Sequence, residues 1–191
     1  MSSNLGSLQR PRRSAHVVRT VEQEDEMQIN QRDNVSRVAL GADHGGFPAK
    51  QTLKQYLLSL GYIVEDLGTD TPDRVDYPDI AIKVADAVAS GQCDRGIMID
   101  GAGIGSSMVC NKVRGIRAAL CYDVKTAVNS REHNNANILT LGGPLHSPDQ
   151  ICEIAKVWLE SRFGGGRHWP RVNKIMAVEK RRPGQRPQNS V

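Results

Sequence analysis

Ile97-Met98-Ile99-Asp100-Gly101-Ala102-Gly103-Ile104-Gly105-Ser106 is the stretch from which the fold can be read. An apolar run ends at a carboxylate, three glycines alternate with small residues, and a helical pattern begins near Ser107. A short apolar run bounded by turn residues reads as a buried strand. A glycine-rich turn into a helix lets backbone N–H groups approach a ligand closely, because no Cβ intervenes. Such N–H groups suit a phosphate or a developing oxyanion. The other reading of Gly-x-Gly-x-Gly is only a tight strand-to-helix turn. Asp100 shifts the balance, since open α/β sheets bind their ligands at the carboxyl ends of the strands.

Outward from this stretch, strands and helices alternate. Val38-Ala39-Leu40 reads as a first strand, followed by the loop Asp43-His44-Gly45-Gly46 and a helix entered at Pro48. Tyr62-Ile63-Val64 is a second strand, and residues 68–78 form a polar loop that holds Tyr77. An alanine-rich helix over 80–89 leads to the third strand, 95–99. A fourth strand spans 116–121, and Asp123 caps the helix that follows it. A fifth strand, 138–141, ends at Gly142-Gly143-Pro144, and Ser147-Pro148 opens another helix. After Gly164-Gly165-Gly166, a last helix is expected over about 171–180. Five strands alternating with helices through short links predict an α/β domain: one five-stranded parallel sheet with helices on both faces. No internal repeat is evident.

The 191 residues suit one domain. Residues 1–35 are polar and read as a flexible N-terminal extension, with a targeting or docking peptide as the alternative. The domain is expected over 36–180, with 181–191 as a disordered basic tail. The formal charge of +4 belongs to residues 180–191, where Lys180, Arg181, Arg182 and Arg186 meet no acid. The charge is otherwise balanced, so no nucleic-acid partner is expected. No apolar run is long enough to span a membrane. No secretory h-region is present, and the four cysteines lack Cys-x-x-Cys spacing. Reduced thiols in a cytoplasmic protein without structural zinc are therefore expected.

The loops expected at the strand ends hold Asp43-His44, Tyr77, Asp100 with its glycines, and His133-Asn134 beyond the fourth strand's helix. Asp43 and His44 could transfer protons or bind phosphate; the alternative is a turn-forming Asp and a surface His. Histidine as a residue type ionises near neutrality, so His133 could act as an acid or base; the alternative is a cation ending a helix. Arg167, His168 and Arg171 form either a solvated cluster or a phosphate site, for which arginine is well shaped.

Several of these motifs, in the same order, resemble the ribose-5-phosphate isomerase B family, which includes the galactose-6-phosphate isomerase subunits. The matching stretches are Ala42-Asp43-His44-Gly45-Gly46, Val75-Asp76-Tyr77-Pro78, Gly101-Ala102-Gly103-Ile104-Gly105, Gly115-Ile116-Arg117-Ala118, Arg131-Glu132-His133-Asn134 and Gly165-Gly166-Arg167-His168 with Arg171. The resemblance implies a single Rossmann-like three-layer domain and a homodimer or dimer of dimers with active sites shared between subunits. It implies neither metal nor organic cofactor. It implies an aldose–ketose isomerase acting on a small phosphosugar of the ribose 5-phosphate/ribulose 5-phosphate class through a cis-enediolate. Residue by residue, it implies that His133 and Asp43 open the furanose ring and that Asp43 and Asn134 contact sugar hydroxyls. Tyr77 would lie near the site, and His44, Arg167 and Arg171 would bind phosphate. Gly101, Gly103 and Gly105 would cradle the enediolate oxygen.

Three departures qualify the match. Asp100 stands where many members have a cysteine base, and becomes the candidate base. A thiol must first lose a proton, with a reference pKa of about 8.5, whereas a carboxyl group at about 3.9 is already ionised. Ala102 replaces a loop hydroxyl, and Pro144 replaces an arginine expected near the phosphate. Together, Ala102 and Pro144 lead to the expectation that ribose 5-phosphate is not the preferred substrate. The alternatives are an isomerase for a tetrose or hexose phosphate, and a weakly active or non-catalytic sugar-phosphate-binding paralogue. Arg131 or His146 could replace the missing arginine.

Overall fold

The computed structural model describes residues 35–180. The N-terminal extension up to Asn34 and the basic tail from Arg181 lie outside the described residues.

Five parallel strands, β1 (Arg37–Ala42), β2 (Ile63–Asp66), β3 (Arg95–Asp100), β4 (Ala118–Leu120) and β5 (Ile138–Gly142), form one sheet in the order β2-β1-β3-β5-β4. The helices are α1 (Phe47–Ser59), α2 (Tyr77–Ala89), α3 (Ile104–Cys110), α4 (Val124–Glu132), α5 (Pro148–Glu160) and α6 (Trp169–Ala177). The alternation of side chains along a strand divides the core into two layers. Val38, Leu40, Ile97, Ile99, Leu139 and Leu141 face Leu53 and Leu57 of α1 and Ile154 and Trp158 of α5. Ala39, Met98 and Ile138 face Ile80, Val84 and Ala85 of α2 and Cys110 of α3. Both faces are covered, as the near-continuous apolar strands require.

The registers set the site. Ala42 lies level with Ile99, and Asp100 with Gly142. The carboxyl ends of β1, β3 and β5 therefore stand side by side, and the loops after them are neighbours. The chain runs outward from β1 to β2 and then returns to β3 on the other side. The β1/β3 boundary is thus a topological switch point, where an open α/β sheet forms its crevice.

Several element boundaries differ from the sequence reading; the last helix, for example, starts at Trp169 and ends at Ala177, and the second strand is Ile63–Asp66. The second helix begins at Tyr77 rather than about residue 80, because Pro78 fits the first turn and Asp76 is the N-cap residue. The helix after the glycine loop begins at Ile104, one turn earlier than expected, and β4 is only three residues long. Capping proceeds as the sequence suggests. Asp123 and Thr126 form one reciprocal capping box, and Ser147 and Gln150 form another.

A charged cluster ties α1 to the end of β2. The fully buried Lys50 ammonium lies 2.5 Å from Asp66 Oδ1, and Lys54 lies 2.9 Å from Oδ2. Burial alone would raise the Asp66 pKa, but donors from Lys50, Lys54 and the Gly68 N–H outweigh it and hold the carboxyl below its ordinary range. The stability this contributes is complete above the unfolded-state value of about 3.9. It is lost as pH falls through the lower folded-state value. Asp66→Asn leaves Lys50 buried opposite a neutral amide and is expected to cost about 3–5 kcal/mol. Thermal unfolding should show a lower Tm at pH 7, and a flatter acid limb below about pH 4 than wild type. An unchanged Tm at pH 7 would show that the cluster contributes no net stability.

Candidate active site

The first group of residues lies at the carboxyl ends of the strands. Asp43 follows β1 and is 7% exposed. Its backbone N–H donates to Ile99 O at 3.2 Å, extending the ladder beyond the strand. Its Oδ1 accepts the Gly46 N–H at 2.9 Å, which closes the turn into α1. His44, exposed beside it, places Nδ1 4.0 Å from Asp43 Oδ2. Tyr77 reaches the glycine loop from the start of α2. A Cβ on Gly105 would sit 2.5 Å from the end of the Tyr77 ring, so any larger residue there would push the ring aside.

Asp100 closes the loop on itself. Its Oδ1 accepts the N–H groups of Ala102 (2.8 Å) and Gly103, and its Oδ2 accepts the N–H of Ser106 (3.1 Å) and the Ser106 hydroxyl. Gly103 takes φ +75°, which turns these N–H groups inward. A carboxylate offers about four lone-pair sites, and here four donors engage it. Asp100 is 4% exposed and Ser106 is fully buried. The Gly103 N–H, expected to face a ligand's oxyanion, is thus aimed, together with that of Ala102, at the loop's own carboxylate. For Asp100 to accept a proton from carbon, one donor must release it. The Ser106 hydroxyl is the one that a single side-chain rotation frees.

The second group lies elsewhere. The sequence reading placed His133 and Asn134 with the strand ends that hold Asp43 and Asp100; the topology corrects this. All strands are parallel, so α4 runs from the carboxyl end of β4 back to the amino end of β5. His133 is its C-cap residue. The neighbouring bonds agree: Asn137 accepts from Gly96 at the start of β3, and Gly164 donates to Glu132 O. Arg167, His168 and Arg171 follow α5, which also ends at the amino edge. A strand the length of β3 separates the two groups, about 15–20 Å, farther than one small phosphosugar reaches.

Within the second group, Asn129 and His133 are one helical turn apart. Asn129 Nδ2 lies 2.9 Å from His133 Nδ1 and donates to it, which leaves the neutral ring's proton on Nε2. The His168 ring stacks on His133, with centroids 4.3 Å apart and planes 11° apart. Arg167 and Arg171 are exposed beside this pair. Asn134 is exposed and donates to Asn129 O at 3.4 Å.

The proposed substitutes for an arginine at 144 are both occupied. Arg131 is buried near the amino edge, donating to Asn135 Oδ1, Ala136 O and Ser161 O. His146 sets Nδ1 2.9 Å from Gly142 O and Nε2 2.8 Å from Tyr122 O. The sequence reading missed Ser106 and Asn129. Asn129 was detectable, four residues before His133 on one helix; Ser106 depends on the loop's turn. Among the described residues, no group of three or more His, Cys, Asp or Glu side chains is placed to hold a metal ion, and no helix is long and apolar enough to cross a membrane.

Residues 38–175 match the family model described as Ribose/Galactose Isomerase. The chain is 41% identical over 148 residues to ribose-5-phosphate isomerase B of Escherichia coli, covering 78% of this chain and 99% of that protein. It is also 41% identical, over 139 residues, to D-erythrulose-4-phosphate isomerase of Pectobacterium atrosepticum, covering 72% of this chain and 91% of that protein. Among solved structures, ribose-5-phosphate isomerase B of Clostridium thermocellum superposes with a TM-score of 0.74 at 49% identity, covering 75% of this chain and 97% of that one.

Proposed function

The chain belongs to the ribose/galactose isomerase family, and on that premise we propose that it interconverts a four- to six-carbon aldose phosphate and its ketose through a cis-enediolate. In the proposed reaction, the second group binds the sugar and opens its ring. His133 donates from Nε2 to the ring oxygen, Asn134 bonds a hydroxyl, and Arg167 and Arg171 hold the phosphate with His44. Asp43 bonds a hydroxyl and takes the proton of the anomeric hydroxyl as the ring opens. Asp100, freed of the Ser106 hydroxyl, removes the proton from C2. The pair of electrons left behind forms the C1–C2 double bond of the enediolate. Asp100 returns the proton to C1, and the proton on O2 passes to O1, so that O2 becomes the ketone oxygen and O1 a hydroxyl. Exclusion of water around a 4% exposed carboxylate favours this transfer.

The observation that carries the reading is the division of these residues between opposite ends of one sheet. A complete site needs the carboxyl end of one copy and the amino end of another, and hence a symmetric homodimer or a larger assembly of such pairs. Apolar side chains flank both groups. Ile104 and Met108 are exposed one turn apart on α3, and Leu145 is exposed beside Ala102 and Gly142. Arg171, Ile175 and Val178 share a face at and beyond α6, with Ile175 and Val178 exposed.

Two curated relatives named for different substrates, ribose 5-phosphate and D-erythrulose 4-phosphate, are each 41% identical, while one ribose-5-phosphate isomerase B structure is 49% identical. Pro144 offers neither charge nor N–H, and it sits in the turn Gly143–Leu145 directly after β5. Loss of a charge-assisted hydrogen bond costs about 1.5–3 kcal/mol, so ribose 5-phosphate is expected to be a poorer substrate than a shorter or longer aldose phosphate. Ketose formation from erythrose 4-phosphate, ribose 5-phosphate and hexose 6-phosphates tests both parts. No ketose from any of them sinks the isomerase reading; the highest kcat/KM on ribose 5-phosphate sinks the specificity reading. Pro144→Arg is expected to lower the KM for ribose 5-phosphate by one to two powers of ten.

The four donors on Asp100 favour a second reading, a paralogue that binds phosphosugars with little turnover. Tight binding of the aldose phosphates without ketose formation would identify it.

A further inference from the structure

His168 belongs to the basic cluster after the three glycines, yet its ring is buried (9% exposed). Arg167 Nε donates to its Nε2 at 3.5 Å. The neutral ring then carries its proton on Nδ1, which is buried and meets no partner. Burial, together with the nearby His133, Arg167 and Arg171, lowers the His168 pKa, against a smaller opposing effect of Glu132. The ring thus stays neutral while lying flat against His133.

Resting on the reading of His133 as the ring-opening acid, we propose that His168 is a positioning residue for His133: its stacked, buried ring fixes the plane of the imidazole whose Nε2–H donates to the sugar's ring oxygen. Asn129 fixes the edge of His133 at Nδ1, and His168 fixes the face. Nε2 is left as the one reactive position.

Ring opening alone can be followed by exchange between the α and β anomers of ribose 5-phosphate, which needs no proton to leave carbon. Anomer exchange measured by NMR in the presence of His168→Ala should slow about tenfold relative to wild type, the scale of a lost aromatic pair. His168→Phe keeps the stack and should restore most of the rate. Turnover of erythrose 4-phosphate, whose O4 is esterified and which forms no furanose, should be nearly unchanged in both variants. A merely structural role would lower both reactions together. Wild-type rates of anomer exchange in His168→Ala, equal losses on both substrates, or no protein-catalysed exchange in wild type would each overturn the proposal. If the wild type exchanges anomers without forming ketose, the isomerase reading fails while this inference stands.

Discussion

Asp100→Asn is expected to lower kcat by about 100- to 10,000-fold, the range of a general base, with substrate still bound. The substitution keeps the shape and tests the oxygen. An Asn Oδ1 still accepts the Ala102 and Gly103 N–H groups. Its Nδ2 faces the Ser106 N–H, donor against donor, but can donate to the Ser106 hydroxyl. The loop therefore loses about one hydrogen bond of roughly 1 kcal/mol, and a fall in Tm should be small. Asp100→Cys separates chemistry from loop geometry. A thiolate restores a base of another kind while fitting the four donors worse. It should keep more activity than Asp100→Asn and express it at higher pH, since a thiol ionises near about 8.5 before any help from the helix N-terminus. If Asp100 only organises the loop, the order reverses: Asn is tolerated and Cys is not. Near-normal turnover of Asp100→Asn on the preferred aldose phosphate, measured at saturating substrate, excludes the base role.

The sheet was legible because its signals are local. Val38 to Leu40, Ile97 to Ile99 and Ile138 to Leu141 are short apolar runs, each followed within a few residues by glycine or proline. The helix starts at Asp123 and Ser147 carry capping side chains that act within one turn. Strand order was not legible, because insertion of β5 between β3 and β4 depends on packing between elements distant in sequence. The same gap misplaced His133. In the sequence it follows a strand, as Asp43 and Asp100 do, but the nine residues of α4 carry it back along the whole sheet. The environment of Asp100 was hidden for a different reason. Its residue type suggested a base exposed to substrate, whereas the positive φ of Gly103 folds three N–H groups and a hydroxyl onto it. His168 was read only as one charge in a cluster, because neither its burial nor its stack on His133 follows from spacing.

Mixing two inactive variants is expected to restore activity. Asp100→Asn damages the carboxyl-end group and leaves the amino-end group whole; His133→Asn does the reverse. If each site joins Asp100 of one copy to His133 of another, a mixed pair contains one doubly damaged site and one that is entirely wild type. An isologous two-fold axis forces this division, since both sites are built from the same two surfaces. Random exchange of equal amounts makes half of the pairs mixed, each with one of two sites intact. The mixture should therefore reach about a quarter of wild-type specific activity, far above either parent. Exchange must be allowed to occur, by co-expression or by refolding the two together. A site complete within one chain makes the opposite prediction, because every chain in the mixture carries a lesion and activity stays at the parental level. The double variant mixed with wild type is the control. Its mixed pairs damage one residue in each site, so they should be inactive, and the mixture should also fall to about a quarter of wild-type specific activity rather than the half expected of independent chains. Parental-level activity in the first mixture, with subunit exchange confirmed by mass, would remove the shared-site arrangement, and the two ends of the sheet would then have no physical reason to act on one substrate.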